Sequence, residues 1–139
     1  MEPMSGHSEL LDHTAEVMLR LRATTLADLL AEAGRALARL ELGGRLAPAA
    51  GEARAIAVQS PDREALLVDW LNELVYLAET ERWVAVEFEM GTVTDTTARA
   101  WARGVVTDEA PSRVKAATFH GLKVVAGPQG LEADVVLDV

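Results

Sequence analysis

Between Glu16 and Ala23 the chain alternates, with Val17, Leu19 and Leu21 on one side and Glu16, Arg20 and Arg22 on the other. A period of two is that of a strand with one buried face. The period then lengthens. Leu26, Leu29, Leu30, Ala33, Leu37 and Leu40 recur at helical spacing after Thr25, which with Asp28 resembles a capping box carrying a shorter acid. Gly43 and Gly44 close the run, so the pattern predicts a helix over 26–41. Leu46–Gly51, rich in Ala, Pro and Gly, reads as a loop, and Ala53–Gln59 as a strand weighted by Ile56 and Val58. Ser60 as N-cap and Pro61 in the first turn predict a second helix over 61–79, with a broad apolar face of Leu66, Leu67, Trp70, Leu71, Leu74 and Leu77.

From Arg82 onward the period returns to two. Val84, Val86, Phe88 and Met90 alternate before a turn at Gly91. A less regular strand follows over Thr97–Val106, then a loop over Asp108–Ser112. Val114–Val125 reads as a strand interrupted near Gly121, and Leu131–Val139 as a last strand after the turn at Gly127, Pro128 and Gly130. The order is β-α-β-α followed by four strands. It predicts one α+β domain over 1–139, a two-layer sandwich with two helices packed on one face of a mostly antiparallel, mixed sheet. Residues 1–10 read as a flexible lead.

Composition narrows the function. In 139 residues, 50% hydrophobic, a single core is expected. No stretch approaches the roughly 18 apolar residues of a membrane-spanning helix, and Met1–Leu11 lacks the basic start and apolar block of a signal peptide. Cysteine is absent, which excludes thiolate catalysis, cysteine-bound zinc and disulfides and fits a cytoplasmic protein. Thirteen basic against 22 acidic residues give a net charge of −9, with no dense basic run. Direct nucleic-acid binding is therefore not expected; a partner protein or a metal ion suits this charge better.

Candidate chemistry gathers in three segments. Asp12-His13-Thr14-Ala15-Glu16 places ligand-capable groups just before a strand, but by local sequence alone it reads first as a turn in which Asp12 accepts backbone N–H bonds. In Val114–His120, Thr118 and His120 share a strand face while Lys115 points away. His120 there reads as a structural histidine or a ligand, and Lys115 as a solvated charge. At the C-terminus, the Asp138 side chain and the Val139 α-carboxylate set two anions close together, which reads first as a frayed, solvated chain end and otherwise as a repulsion that a divalent cation or a cationic partner residue relieves. Hard oxygen donors favour Ca²⁺, Mg²⁺ or Mn²⁺. No P-loop, serine elbow or His-x-x-x-His helix is present, and a metal-dependent hydrolase lacks a visible base and substrate pocket.

These segments, together with Trp70-Leu71-Asn72-Glu73-Leu74, resemble the archease family. That family's Asp-His-Thr-Ala-Asp is similar to Asp12–Glu16, its Trp-Leu-Asn-Glu-Leu to Trp70–Leu74, its Val-Lys-Ala-x-Thr-Tyr-His to Val114–His120, and its closing Leu-Asp-Val to Leu137–Val139. Two positions depart: Glu16 stands in an aspartate's place and Phe119 in a tyrosine's. The resemblance implies the archease two-layer fold and a cofactor protein rather than an enzyme. By the same resemblance the partner is the RtcB-type tRNA-splicing ligase, whose guanylylation and multiple turnover the family promotes. A metal, calcium foremost with magnesium or manganese as alternatives, is then expected on Asp12, Asp138 and the terminal carboxylate of Val139. His13, His120 and Lys115 are left as supporting or structural residues. The competing expectation is a chaperone or adaptor for RNA-modifying enzymes such as a tRNA methyltransferase.

Overall fold

The computed structural model describes residues 6–12, 16–45, 48–107, 114–119 and 121–139, with Leu10, Leu11 and Asp12 described by backbone alone. Helix α1 (Leu26–Glu41) has the bounds its apolar spacing predicts. Thr25 caps it, its side-chain oxygen accepting the Asp28 N–H at 3.1 Å, and beyond it the Gly44 N–H donates to the Arg39 carbonyl at 2.7 Å. These bonds supply partners for backbone groups that a helix terminus leaves without any.

Helix α2 (Arg63–Glu81) begins two residues later than the pattern suggests. Asp62, not Ser60, is the N-cap, accepting the Ala65 N–H at 2.8 Å. Ser60 is engaged elsewhere: its hydroxyl donates to Asp69 Oδ2 at 2.5 Å and its N–H to the Thr96 carbonyl at 2.8 Å. With its hydroxyl committed to Asp69 and its N–H to Thr96, Ser60 leaves the capping role to Asp62.

The strands divide between two sheets rather than one, and every pairing is antiparallel. The larger runs in the order β1 (His7–Asp12), β2 (Glu16–Ala23), β8 (Gly130–Asp138) and β6 (Ala116–Thr118), with β7 (Val124–Gly127) also paired to β8. The smaller is β3 (Ala50–Gln59), β5 (Thr97–Val106) and β4 (Trp83–Val93), with β5 in the middle. Each helix packs on strands of both sheets: α1 on β2 and β4, α2 on β4, β6 and β3. The helices therefore knit the two sheets around one core.

Two expectations are corrected in the larger sheet. The lead expected over 1–10 is a paired strand from His7 onward, in register with β2 from His7 opposite Arg22 to Asp12 opposite Val17. Residues 7–12 show no alternation, so their extended form rests on the backbone ladder with β2. Met1–Ser5 lie outside the described residues. The strand expected over 114–125 is interrupted at Gly121 (φ +66°) as its sequence suggests, but its two parts are shorter than expected: β6 before the break and β7, which runs on to Gly127, after it.

Trp70 sits at the centre of the core, fully buried, its indole N–H donating to the Leu30 carbonyl of α1 at 2.9 Å. That bond satisfies the one polar atom of the largest buried side chain. The Phe88 ring of β4 lies 5.8 Å from that of Trp70. Gly34 makes room for it, since a Cβ there would come within 2.5 Å of the ring. β5 explains its irregular sequence: Ala98, Ala100, Ala102 and Gly104 face inward and are buried, while Trp101 faces out and is 55% exposed. Small residues inside and a large aromatic outside invert the usual alternation.

Candidate metal centre at one end of the larger sheet

The ends of three strands meet at one edge of the larger sheet. Antiparallel pairing of β2 with β8 puts Glu16 opposite Asp138, and pairing of β6 with β8 puts Ala116 on the other flank of Asp138. Directly opposed residues share a face, so Glu16, Asp138 and Ala116 form one row. The next row holds Asp12, Val17, Leu137 and Ala117. Asp12, at the end of β1, is therefore one row and two strands from Asp138, a Cα separation of roughly 10 Å at ordinary strand spacing.

Register brings the two aspartates to one end of the sheet, but successive rows face opposite sides: Leu137 and Ala117 in the row of Asp12 are buried, and Glu16 in the row of Asp138 is exposed. The aspartate that ends β1 and the aspartate that ends β8 lie at the same end of the same sheet, with β2 between them. Val139 follows directly and is 42% exposed. The Lys115 backbone N–H donates to the Asp138 carbonyl at 2.8 Å, fixing the chain end from the β6 side. The Lys115 side chain is exposed. His13, Thr14, Ala15 and His120, and the Asp12 side chain, lie outside what is described.

Glu16 is the residue the sequence reading passed over. It appeared on a polar strand face, in a ligand-capable segment and as a departure from a motif, but not beside Asp138, because that neighbour is 122 positions away and nothing local signals their pairing. Like charges directly opposed across strands are destabilising. Among the described residues no basic side chain stands at ion-pair distance from Glu16 or Asp138. Ala116 beside Asp138 is small and leaves the row open on that flank. No three His, Asp or Glu side chains converge among the described residues, so the described part of the centre is the Glu16–Asp138 pair.

Farther along the same two strands the charges are matched. Arg20 faces Asp134, with Nε to Oδ1 at 3.1 Å and Nη2 to Oδ2 at 3.4 Å, and Arg22 faces Glu132 at 4.0 Å. The Asp134 hydrogen bond and charge, with Glu9 and Glu132 behind it, raise the Arg20 pKa above its ordinary value.

The Archease protein family profile matches residues 9–139. The chain belongs to the archease family. Among curated relatives, the archease of Methanosarcina barkeri is 31% identical over 147 aligned positions spanning all of both chains. That of Methanosarcina acetivorans is 31% identical across 94% of each. The solution structure of a Methanobacterium thermoautotrophicum protein superposes with a TM-score of 0.72 at 27% identity, covering 95% of this chain and 98% of that one. A crystal structure of a Thermotoga maritima archease, titled a possible chaperone, shares the fold with a TM-score of 0.68 at 21% identity, covering 93% and 94%. The archease motifs acquire physical meaning on this fold. The first and last supply the strand ends of the anionic row, and the Trp70–Leu74 motif supplies the buried indole. Among the described residues no helix is long and apolar enough to cross a membrane.

Proposed function

We propose that this archease is a non-catalytic, cytoplasmic activator of an RtcB-type RNA ligase, and that it works through a divalent cation held by Asp12, Asp138 and the α-carboxylate of Val139, with Glu16 beside them. The observation that carries the reading is the row that sets Glu16 opposite Asp138 without a compensating base among the described residues. The donor set is all hard oxygen, which suits Ca²⁺ first and Mg²⁺ or Mn²⁺ as alternatives. When bound, the ion supplies positive charge to an otherwise repulsive cluster.

The side chains then have defined tasks. In this reading Asp138 and Val139 would present anions at the strand end, Asp12 would reach the ion from the end of β1, and Glu16 would keep the row negative. The excess of negative charge makes this end a surface for a ligase that itself handles a metal and GMP. An activator shifts a partner between states only by binding one of them better. Contact with the guanylylation-competent ligase is where that difference resides. Direct RNA binding forms no part of the reading, because Arg20 and Arg22 are committed to Asp134 and Glu132.

The deciding experiment measures ligase guanylylation and multiple turnover with and without this protein at matched metal concentrations. Stimulation by the wild type and its loss in folded Asp12→Ala and Asp138→Ala variants is the expected result. Full stimulation by both variants sinks the metal centre. Protection of unrelated proteins from aggregation, undiminished by Asp12→Ala, would favour a general chaperone instead.

A further inference from the structure

We infer that Asn72 is a positioning residue for the anionic centre, acting from α2 through β6 on Asp138; the inference rests on the metal-centre reading above. Asn72 lies outside the centre, yet its amide makes a two-point clamp on one residue of β6. The Ala117 N–H donates to Asn72 Oδ1 at 2.7 Å, and Asn72 Nδ2 donates to the Ala117 carbonyl at 3.3 Å. A side-chain amide presents the same donor and acceptor as a peptide group. Asn72 therefore stands where the next strand's backbone would be.

β6 needs that substitute. It has three residues, with β8 on one side. A strand so short with one partner carries few ladder bonds and frays. Yet β6 holds the centre in place: Ala116 opposes Asp138, and the Lys115 N–H binds the Asp138 carbonyl. Fixing Ala117 thus fixes the two residues before it, and through them the strand end that carries the carboxylate.

The other end of the same edge has an independent clamp that serves as its control. Glu64 Oε2 accepts the Val124 N–H at 2.8 Å, and Arg63 Nη2 donates to the Val124 carbonyl at 3.4 Å. Val124 belongs to β7 and opposes Ala133, five positions before Asp138. Both clamps join α2 to an edge strand of β8, but only the Asn72 clamp reaches the centre. A purely structural role predicts the same behaviour for both; a positioning role predicts a difference.

The test uses the full chain and calcium chloride as the probe. Calcium affinity is measured by titration calorimetry for wild type, Asn72→Ala, Asn72→Asp and Glu64→Ala, with hydrogen exchange followed at the Lys115 amide. Asn72→Ala is expected to weaken calcium affinity about tenfold, in the range seen when groups supporting metal ligands are removed, and to speed exchange at Lys115. Glu64→Ala is expected to leave both unchanged. Asn72→Asp keeps the acceptor for Ala117 but turns an oxygen toward its carbonyl, so it should weaken affinity even if the alanine variant does not fold. Unchanged affinity in folded Asn72 variants, or an equal loss in Glu64→Ala, overturns the inference. If wild type takes up no calcium, the metal-centre reading fails by itself. Exchange at Lys115 then still judges the clamp: unaltered protection in Asn72→Ala overturns it, and loss of protection in that variant alone upholds it.

Discussion

The two ends of the β2–β8 ladder are built on the same backbone pairing and treat charge in opposite ways. At one end Arg20 meets Asp134 and Arg22 meets Glu132, so each β2–β8 pair is neutral. At the other end Glu16 meets Asp138, and the row is doubly negative. Between them Met18 and Val136 form an apolar row that separates the two regimes. Cross-strand pairs stabilise a sheet when their charges oppose and weaken it when they match. The matched end is what a self-sufficient sheet needs. The unmatched end has no compensating base among the described residues, which is where the proposed cation would act.

The largest effect that sharpens this contrast is on ligase activation. Asp138→Ala should cut stimulation at least about tenfold, the loss typical when a metal centre is disturbed. Asp134→Ala, on the same strand at the neutral end, should leave it intact. The paired assay of guanylylation and turnover decides between a special end and a generally acidic surface.

Metal-linked stability comes next. A divalent cation at about one hundred times its dissociation constant should stabilise the wild type by ~2.7 kcal/mol, because it binds the folded chain alone. Thermal unfolding with calcium and with chelator reads that difference, and Asp138→Ala should abolish it. A wild-type curve insensitive to calcium, magnesium and manganese would erase the distinction between the ends.

A smaller effect comes from converting one end into the likeness of the other. Glu16→Lys makes the Glu16–Asp138 row an opposite-charge pair. In chelator it should raise stability by about 0.2–1 kcal/mol, the scale of such cross-strand pairs, while removing the response to calcium. A variant destabilised in chelator would show that the two carboxylates do not repel. Smallest of all is Arg20→Ala at the exposed neutral end, where salt screens the lost pair and the deficit should fade as ionic strength rises. Its guanidinium, with a pKa raised above an already high ordinary value, stays protonated in both the folded and unfolded chain near neutrality. Since that contribution disappears only as pH climbs through the folded-state pKa, a profile measured around neutral pH should be flat with respect to Arg20.

How much of this was legible beforehand follows from the range of each signal. α1 could be bounded at both ends because its cap and its terminating glycines are local. α2 was misjudged at its start because Ser60 and Asp62 are both competent caps, and only the tertiary bonds of Ser60 to Asp69 and Thr96 choose between them. β1 was missed because His7–Asp12 has no period, and its form depends on β2. Alternation told which strands had a buried face but not which neighbours they had, so the split into two sheets could not be read. At the centre, Asp12, Asp138 and Val139 were visible as motif residues. Glu16 was in plain view within a ligand-capable segment but not matched with Asp138, since that pairing spans nearly the whole chain.

The placement of β8 has a consequence for how the molecule is made. Residues 130–138 emerge from the ribosome after every other strand, yet they lie inside the larger sheet, with β2 on one side and β6 and β7 on the other. Until they arrive, β2 has a neighbour on one side alone, and the short β6 and β7 have no strand to pair with. The larger sheet cannot close until residues 130–138 have been made, and the segment that closes it also carries Asp138. The anionic row is thereby assembled only in a chain that has folded through to β8.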